Sequence, residues 1–186
     1  RRTSRGLGDV YKRQYYNKAN LLKFCNKNIR AKVNFKKAIL LRNNYPKAYN
    51  SLGNVFHEEN NLHEAIFNYK TALALRQKYP EAYFNLGNAL LDLEEFEEAI
   101  EMYKKSLLLR PNYFRVYVNM VFALKNITIN KADTSLQFNI LKLLERKDIV
   151  RPTTISTQAI NLLKFDPTLL KLLKLYNEKN SKLPLI

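Results

Sequence analysis

The sequence predicts an all-α solenoid, built as a stack of antiparallel helix hairpins. Among 186 residues there are only 4 glycines and 6 prolines, too few to punctuate a many-turned β fold. Apolar residues recur at spacings of three and four, which is the period of an amphipathic helix. The same residue types also recur 34 positions further along the chain, which indicates a repeated structural unit.

The repeat is clearest in residues 46–113, which hold two successive units. Each unit contains two amphipathic segments, and the first segment opens on a proline, Pro46 or Pro80. The first turn of a helix tolerates a residue without an amide hydrogen, so these prolines mark helix starts. In the first unit the two segments are 46–59 and 62–75. Each unit is therefore predicted to form a hairpin of two helices.

Two of the predicted helices carry a glycine in their middle, Gly53 and Gly87. A glycine there costs about 1 kcal/mol relative to alanine, so its presence needs a structural reason. We expect the paired helix to approach closely at this point and to present a small residue, Ala65 or Ala99. The polar pair Asn60–Asn61 predicts the tight turn that brings the second helix back.

Together these residues resemble the tetratricopeptide repeat, whose 34-residue pattern combines an aromatic residue, Leu-Gly, a large residue, Ala, a second aromatic, Ala and Pro. The second unit matches the pattern almost fully, with Tyr83, Leu86, Gly87, Leu90, Ala99, Tyr103, Ser106 and Pro111. The resemblance implies a right-handed superhelix of antiparallel hairpins. It also implies a protein-interaction scaffold that binds a peptide or protein segment in a concave groove lined by the first helices.

The domain organisation follows from where the repeat is strong and where it fades. We expect repeats at 15–45, 46–79 and 80–113, and the first helix of a degenerate fourth repeat at 114–126. The second helix of that repeat is predicted near 133–146. Residues 127–186 are expected to form either a helical cap or a junction to a missing C-terminal domain, with amphipathic segments at 155–165 and 167–176.

Residues 1–14 are expected to be non-native. The run from Asp9 to Gln14 is what a transposase-end DNA sequence used as a sequencing adapter would encode. Ser4, Gly6 and Gly8 are predicted to interrupt any helix there. We therefore expect the chain to be a fragment whose natural start is not included.

The charge of the chain is high but uneven. The formal net charge is +16, and residues 15–57 carry nine basic residues and no acid, whereas residues 58–101 carry ten acids and three basic residues. A nucleic-acid-binding protein concentrates basic residues on one face and carries a supporting motif. The acidic middle and the abundance of residues that AT-rich codons favour make nucleic-acid binding the less favoured alternative.

No pattern indicates catalysis or a cofactor. His57 and His63 are six apart and do not share a helix face, as metal ligands would. The acidic run 94–101 crosses a predicted helix start, where it complements the helix dipole. The lone Cys25 favours a reducing, cytoplasmic location, and no apolar run reaches the ~18 residues that span a bilayer. We expect no enzymatic activity, no metal, no cofactor and no membrane partner; the oligomeric state is not predicted.

Asparagine recurs at two registers of the predicted first helices, and this defines the candidate groove. The candidate residues are Asn20, Lys47, Asn50, Asn54, Phe84, Asn85, Asn88, Arg115 and Asn119. A carboxamide offers a donor and an acceptor, so a row of them can pair with the amides of an extended chain. The row resembles the asparagine ladder of the protein O-linked N-acetylglucosamine transferases. It predicts that Asn54→Ala with Asn88→Ala weakens peptide binding without lowering the melting temperature.

Two alternatives remain open. The first is the carboxylate clamp of chaperone-binding repeats: Asn54, Asn85 and Arg115 fit three of its places, but Asn50 and Asn119 stand where that family has basic residues. The second is that the chain resembles the substrate-recognition arm of a larger bacterial glycosyltransferase, methyltransferase or sulfotransferase whose catalytic domain is absent. Such an arm would still act by binding.

Overall fold

The computed structural model describes residues 3–128, 133–145 and 161, and these residues form helices and turns without a strand. The helices are α1 (Thr3–Phe24), α2 (Asn28–Leu41), α3 (Pro46–Glu58), α4 (Leu62–Leu75), α5 (Pro80–Asp92), α6 (Phe96–Leu109), α7 (Phe114–Lys125) and α8 (Thr134–Glu145). The chain divides into two compact units, Arg1–Val116 and Tyr117–Ile186, which are described separately.

The first unit is a stack of three helix hairpins. Helices α1 and α2, α3 and α4, and α5 and α6 pack as antiparallel pairs. Successive hairpins join through contacts of α2 with α3 and of α4 with α5, and the first helices α1, α3 and α5 are neighbours in order. This arrangement confirms the predicted all-α hairpin solenoid, in which each unit buries its apolar face against the next.

Small buried residues set the spacing within each hairpin. Ala65 and Ala72 on α4 and Ala99 on α6 are fully buried. Ser106 on α6 stands at the register of Ala72 and is also buried. Its hydroxyl donates a 2.8 Å hydrogen bond to the Pro80 carbonyl oxygen, so the buried polar atom is satisfied. Short side chains at these places let the paired helices approach closely.

The glycine in each first helix lies under a tyrosine ring. A Cβ added at Gly53 would lie 2.6 Å from Tyr69 Cε1, and one added at Gly87 would lie 2.5 Å from Tyr103 Cε1. Such distances are far inside van der Waals contact. The close approach was predicted, but its predicted partner, an alanine such as Ala65, was wrong: the aromatic ring of the second helix needs the space.

The first hairpin fills the same place differently. Ala19 stands at the glycine register and Phe35 at the tyrosine register, and both are fully buried. The Tyr16 ring packs on Phe35 with centroids 5.7 Å apart. The glycine–tyrosine pair and the alanine–phenylalanine pair are therefore two packing solutions within one chain.

The turn within each hairpin uses one residue with positive φ. Asn26, Asn60 and Glu94 occupy the same register and have φ values of 55°, 58° and 62°. Asparagine tolerates this left-handed conformation better than most residues, whereas glutamate has no local compensation for it. The predicted Asn60–Asn61 turn is confirmed, and the third hairpin keeps its geometry with a less suitable residue.

Helix α1 differs from its prediction at the N-terminus. It begins at Thr3 and continues through Ser4, Gly6 and Gly8, so the predicted interruption of the helix was wrong. Lys12 is buried and donates a 2.8 Å hydrogen bond to Asp9 Oδ1, an i, i+3 pair that suits a helix. The non-native origin of residues 1–14 stays a prediction.

The second unit contains most of α7 and all of α8. Asp133 precedes α8, and its Oδ1 accepts a 2.8 Å hydrogen bond from the Leu136 amide, as an N-cap does. This helix lies where the second helix of the fourth repeat was predicted. The segments predicted at 155–165 and 167–176 lie outside the described residues, except that Asn161 is helical. None of the described helices is long and apolar enough to cross a membrane.

Gly53→Ala should lower the free energy of unfolding by about 1–3 kcal/mol, because the added methyl group overlaps the buried Tyr69 ring. Gly8→Ala is the matched control, because open space surrounds that position and alanine favours a helix. Urea denaturation of both variants measures the difference. An unchanged or higher stability of Gly53→Ala would contradict the close-approach explanation.

Glu94→Asn should raise the free energy of unfolding by about 0.5–1 kcal/mol, since asparagine relieves the strained positive φ at this turn. The reciprocal change Asn60→Glu should lower it by a similar amount. Thermal melts followed by circular dichroism compare the two. Shifts of the same sign in both variants would show that the turn conformation does not govern the effect.

Candidate functional site

A polar cavity of about 410 Å³ lies along the row of first helices in the first unit. We call it the inner cavity. Helix α3 presents one of its faces there, because residues three and four apart on a helix lie on the same side. The lining residues are Lys23, Asn54, His57, Glu58, Tyr69, Phe84, Asn85, Asn88 and Arg115.

An asparagine network ties α3 to its two neighbours. Asn54 Oδ1 accepts one hydrogen bond from the Tyr69 hydroxyl at 2.8 Å and another from Asn85 Nδ2 at 3.0 Å. Asn85 Nδ2 also donates to Asn50 Oδ1 at 3.1 Å, and Asn50 is buried. The network therefore links a residue of α4 and a residue of α5 through α3.

The tyrosine–asparagine bond is repeated in the next hairpin, where the Tyr103 hydroxyl donates to Asn88 Oδ1 at 2.9 Å. The first hairpin has no counterpart, because Phe35 stands at the tyrosine register and carries no hydroxyl group. The asparagines at this register thus hold the ring that packs over the glycine, and they line the inner cavity with the rest of their side chains.

Contacts between successive first helices also recur at one register. The Tyr16 hydroxyl lies 3.2 Å from Ser51 Oγ, joining α1 to α3. The Asn50–Asn85 bond joins α3 to α5 at the corresponding pair of positions. Polar contacts of this kind fix the spacing of the first helices and hence the width of the inner cavity.

The buried phenols stay protonated over the ordinary pH range. Burial raises the pKa of Tyr69 well above its usual value, and the Glu58 and Asp92 carboxylates add to the shift. Burial likewise raises the pKa of Tyr79 to about 12. A protonated Tyr69 is required for its hydroxyl to donate to Asn54.

The charges around the inner cavity are mostly paired. Lys23 Nζ lies 2.8 Å from Glu58 Oε1, and His57 Nε2 lies 2.8 Å from Asp92 Oδ2 without hydrogen-bond alignment. Arg115 is exposed and has no ion pair with any residue that the structure describes. The cavity therefore offers one cation that is free to meet an anionic group.

Five of the predicted groove residues come together at the inner cavity: Asn54, Phe84, Asn85, Asn88 and Arg115. The others are placed elsewhere. Asn50 is buried against Asn85, Asn20 and Lys47 do not line the cavity, and Asn119 belongs to the second unit. Phe84 is also largely buried, with its ring centroid 5.2 Å from that of Tyr113.

Four lining residues lie outside the nine candidate groove residues: Lys23, His57, Glu58 and Tyr69. Helical spacing does predict that the first three lie on the inward stripes of the first helices, because they are three or four positions from Asn20 or Asn54. Tyr69 is on a second helix, and no spacing argument on the first helices would have found it.

The hydrogen bonds alter one expectation about the asparagine row. Asn54→Ala and Asn88→Ala were expected to leave the melting temperature unchanged. Each substitution instead removes the acceptor of a buried tyrosine hydroxyl, which costs about 1–3 kcal/mol when a buried donor is left unsatisfied. A test of binding therefore needs other substitutions.

Three family models match the sequence. Models described as TPR repeat and tetratricopeptide repeat cover residues 7–45, 53–94 and 80–113. The chain belongs to the tetratricopeptide repeat family. The first match begins inside the segment predicted to be non-native, the second runs from within α3 to just past α5, and the third covers the hairpin of α5 and α6.

Solved structures of TPR proteins share the fold. The first TPR of Spaghetti, bound to an HSP90 peptide, is 22% identical, with 61% of this chain and 90% of that chain covered and a TM-score of 0.60. The Arabidopsis OM64 TPR domain is 21% identical, with coverages of 64% and 99% and a TM-score of 0.63. At this identity the likeness concerns the fold alone.

A third solved structure is a Thermobaculum terrenum O-GlcNAc transferase, at 20% identity and a TM-score of 0.64. The match covers 75% of this chain but only 26% of the transferase chain. No curated protein matches the sequence significantly. Among the described residues, no group of three or more His, Cys, Asp and Glu side chains could hold a metal ion.

The stability of the TPR stack should fall at alkaline pH. Tyr79 keeps its proton up to pH about 12 in the folded state, whereas an unfolded tyrosine loses it near 10. The folded pKa is the higher one, so this contribution is complete below pH about 10 and is lost as the pH rises toward about 12.

Urea denaturation at several alkaline pH values measures this decline. Tyr79→Phe removes the titrating group and should give a shallower decline of the unfolding free energy than the parent chain. An equal decline in both proteins would exclude Tyr79 as a source of the pH dependence.

Proposed function

We propose that the chain is a protein-interaction module that holds an extended segment of a partner polypeptide in the inner cavity. The observation that carries this proposal is that two neighbouring carboxamides leave opposite groups available, one a donor and the other an acceptor. Asn54 Oδ1 already accepts two hydrogen bonds, so its amide nitrogen remains to donate. Asn85 Nδ2 already donates two, so its carbonyl oxygen remains to accept.

A donor beside an acceptor matches the main chain of an extended peptide, which presents a carbonyl and an amide at every residue. Pairing of this kind does not depend on the side chains of the ligand. The internal hydrogen bonds hold Asn54 and Asn85 in place before binding, which lowers the entropic cost of fixing them. The asparagine row is therefore preorganised to bind the main chain of a peptide.

Arg115 adds a preference for acidic ligands. Its planar guanidinium group suits a carboxylate, and it has no ion pair among the described residues. Lys23 contributes less, because its charge is already matched by Glu58 at 2.8 Å. We expect the bound segment to carry an aspartate or a glutamate beside Arg115.

The asparagine ladder is favoured over the carboxylate clamp. The clamp requires basic side chains at the registers of Asn50 and Asn119. Asn50 is neutral, buried and engaged with Asn85, so it is not available to an anionic chain end.

The role as the recognition arm of a larger transferase stays an alternative within the same proposal. The described residues would act by binding in either case, and catalysis would belong to another domain. The uninterrupted genomic reading frame around this chain decides between a separate scaffold and a fused arm.

The test uses fluorescent peptides of about ten residues in extended, proline-containing sequences, with or without glutamates, each as a free acid and as an amide. Glutamate-containing peptides should bind in both end forms. Arg115→Gln should weaken binding about tenfold or more, because it removes a charge-assisted hydrogen bond. Asn85→Ser, which places the residue found at Ser51, should also weaken binding.

The matched control is Leu108→Ala, an exposed change on α6 away from the inner cavity, which should leave the affinity unchanged. Fluorescence anisotropy gives the dissociation constants. Binding that is unaffected by both Asn85→Ser and Arg115→Gln refutes the proposal. Loss of binding on amidation of the peptide would instead establish a terminal-carboxylate clamp.

A further inference from the structure

Two ion pairs join successive first helices at the same register of the repeat. Lys23 Nζ on α1 lies 2.8 Å from Glu58 Oε1 on α3, and we call this contact the lysine pair. One repeat later, His57 Nε2 on α3 lies 2.8 Å from Asp92 Oδ2 on α5, and we call this contact the histidine pair. His57 follows Lys23 by 34 positions, and Asp92 follows Glu58 by the same number, so the two pairs occupy equivalent places in the stack.

The two pairs respond differently to pH. A lysine ammonium group and a carboxylate both stay charged near neutral pH, so the lysine pair keeps its two charges. A histidine side chain instead gains its charge as the pH falls between about 8 and about 5. The histidine pair is therefore an ion pair only when the His57 ring is protonated. When that ring is neutral, Asp92 has no cationic partner among the residues that the structure describes.

His57 has charged or titratable neighbours on several helices. These are Asp92 on α5, Lys23 on α1, Glu58 on α3 itself, Tyr69 on α4 and Arg115 on α7. Helix α2, all of which the structure describes, contributes no residue to the lining, and its Lys32 is paired with Glu59 at 2.6 Å. Burial raises the pKa of Tyr69, so its hydroxyl group stays neutral while a histidine titrates.

The charge of the inner cavity consequently depends on His57. Lys23 and Glu58 cancel each other within the lysine pair, and Arg115 carries one positive charge. When His57 is neutral, the Asp92 carboxylate offsets Arg115. When His57 is protonated, the histidine pair is neutral as a whole, and the cavity gains one net positive charge. An acidic ligand is therefore attracted more strongly at the lower pH.

We propose that His57 makes the affinity of the inner cavity for an acidic segment rise as the pH falls from about 8 to about 6. The inference rests on the proposed function, because it requires an acidic ligand beside Arg115. Its direction follows from linkage. A bound carboxylate favours the protonated form of His57, so protonation of His57 in turn favours the bound carboxylate.

The expected effect is moderate. The His57 side chain is 27% exposed and that of Asp92 is 50% exposed, so water and salt screen their charges. We expect the dissociation constant of an acidic peptide to be about threefold to tenfold lower at pH about 6 than at pH about 8.

The chain itself suggests the variants. Lys23 stands at the register of His57 one hairpin earlier and pairs with a carboxylate at the same 2.8 Å, so His57→Lys gives the second pair a fixed charge. His57→Gln keeps a polar side chain without a charge, and Leu91 shows that this register is occupied by an uncharged residue in α5. The matched control is His63→Gln, because His63 is the other of the two histidines and does not line the inner cavity.

The experiment uses the full chain and two extended peptides that differ only in carrying glutamates or glutamines. Both peptides are acetylated and amidated so that their ends do not titrate, and glutamate stays ionised over the range tested. Fluorescence anisotropy at constant ionic strength gives the dissociation constants at pH about 6 and about 8. The parent chain and His63→Gln should bind the glutamate peptide about threefold to tenfold more tightly at the lower pH, and the glutamine peptide equally at both.

The two substitutions of His57 should abolish this pH dependence in opposite ways. His57→Lys should bind the glutamate peptide at both pH values about as tightly as the parent chain does at the lower one. His57→Gln should bind it at both pH values about as weakly as the parent chain does at the higher one. Circular dichroism checks that each variant keeps its helical signal. If His57→Gln does not fold, His57→Lys still tests the inference.

Three results would overturn the inference and leave the proposed function intact. The first is equal binding of the glutamate peptide by the parent chain at both pH values. The second is a pH dependence that persists in His57→Gln or in His57→Lys. The third is the same pH dependence for the glutamine peptide, which would assign the effect to the fold and not to the charge of the ligand. No binding of the glutamate peptide at either pH would instead refute the proposed function, and the inference with it.

Discussion

The packing of one tyrosine ring over one glycine holds together the second and the third hairpin. At Gly53 and Gly87 the first helix has no Cβ, and the rings of Tyr69 and Tyr103 occupy the space. The ring is then fixed at its far end by the hydroxyl bond to an asparagine of the first helix. Glycine, tyrosine and asparagine act together: a Cβ at the glycine would overlap the tyrosine ring in its present position, and without the asparagine the tyrosine hydroxyl would be buried unsatisfied.

This constraint explains why the asparagine row has two roles. The carbonyl oxygen of Asn54 is committed to the fold, and only its amide nitrogen remains for a ligand. In Asn85 the reverse holds, because its amide nitrogen bridges Asn50 and Asn54. The same bonds that define the spacing of the first helices therefore orient the groups offered to a peptide. Stability and recognition cannot be separated at Asn54 by a single substitution.

Helix α3 has two different faces. One face is polar and contributes to the inner cavity, and the opposite face contributes the apolar residues Leu52 and Phe56 to a groove between α2 and α4. The repeats are not equivalent in this respect. The second helix of the first hairpin is basic with exposed apolar residues, whereas the third hairpin has Glu97, Glu98 and Glu101 in or near the first turn of α6. Hairpins with the same backbone fold therefore present different surface side chains.

The sequence by itself determined the hairpins, because helical periodicity, Pro46 and Pro80, and the 34-residue repeat are all local or regular signals. It also placed a close approach at Gly53, but it named an alanine as the neighbour. Only the tertiary structure decided that the neighbour is the ring of Tyr69, that Asn50 is buried, and that Leu40 and Phe67 flank one groove. These facts depend on how side chains from different helices pack together, and the residue pattern along one helix does not specify that packing.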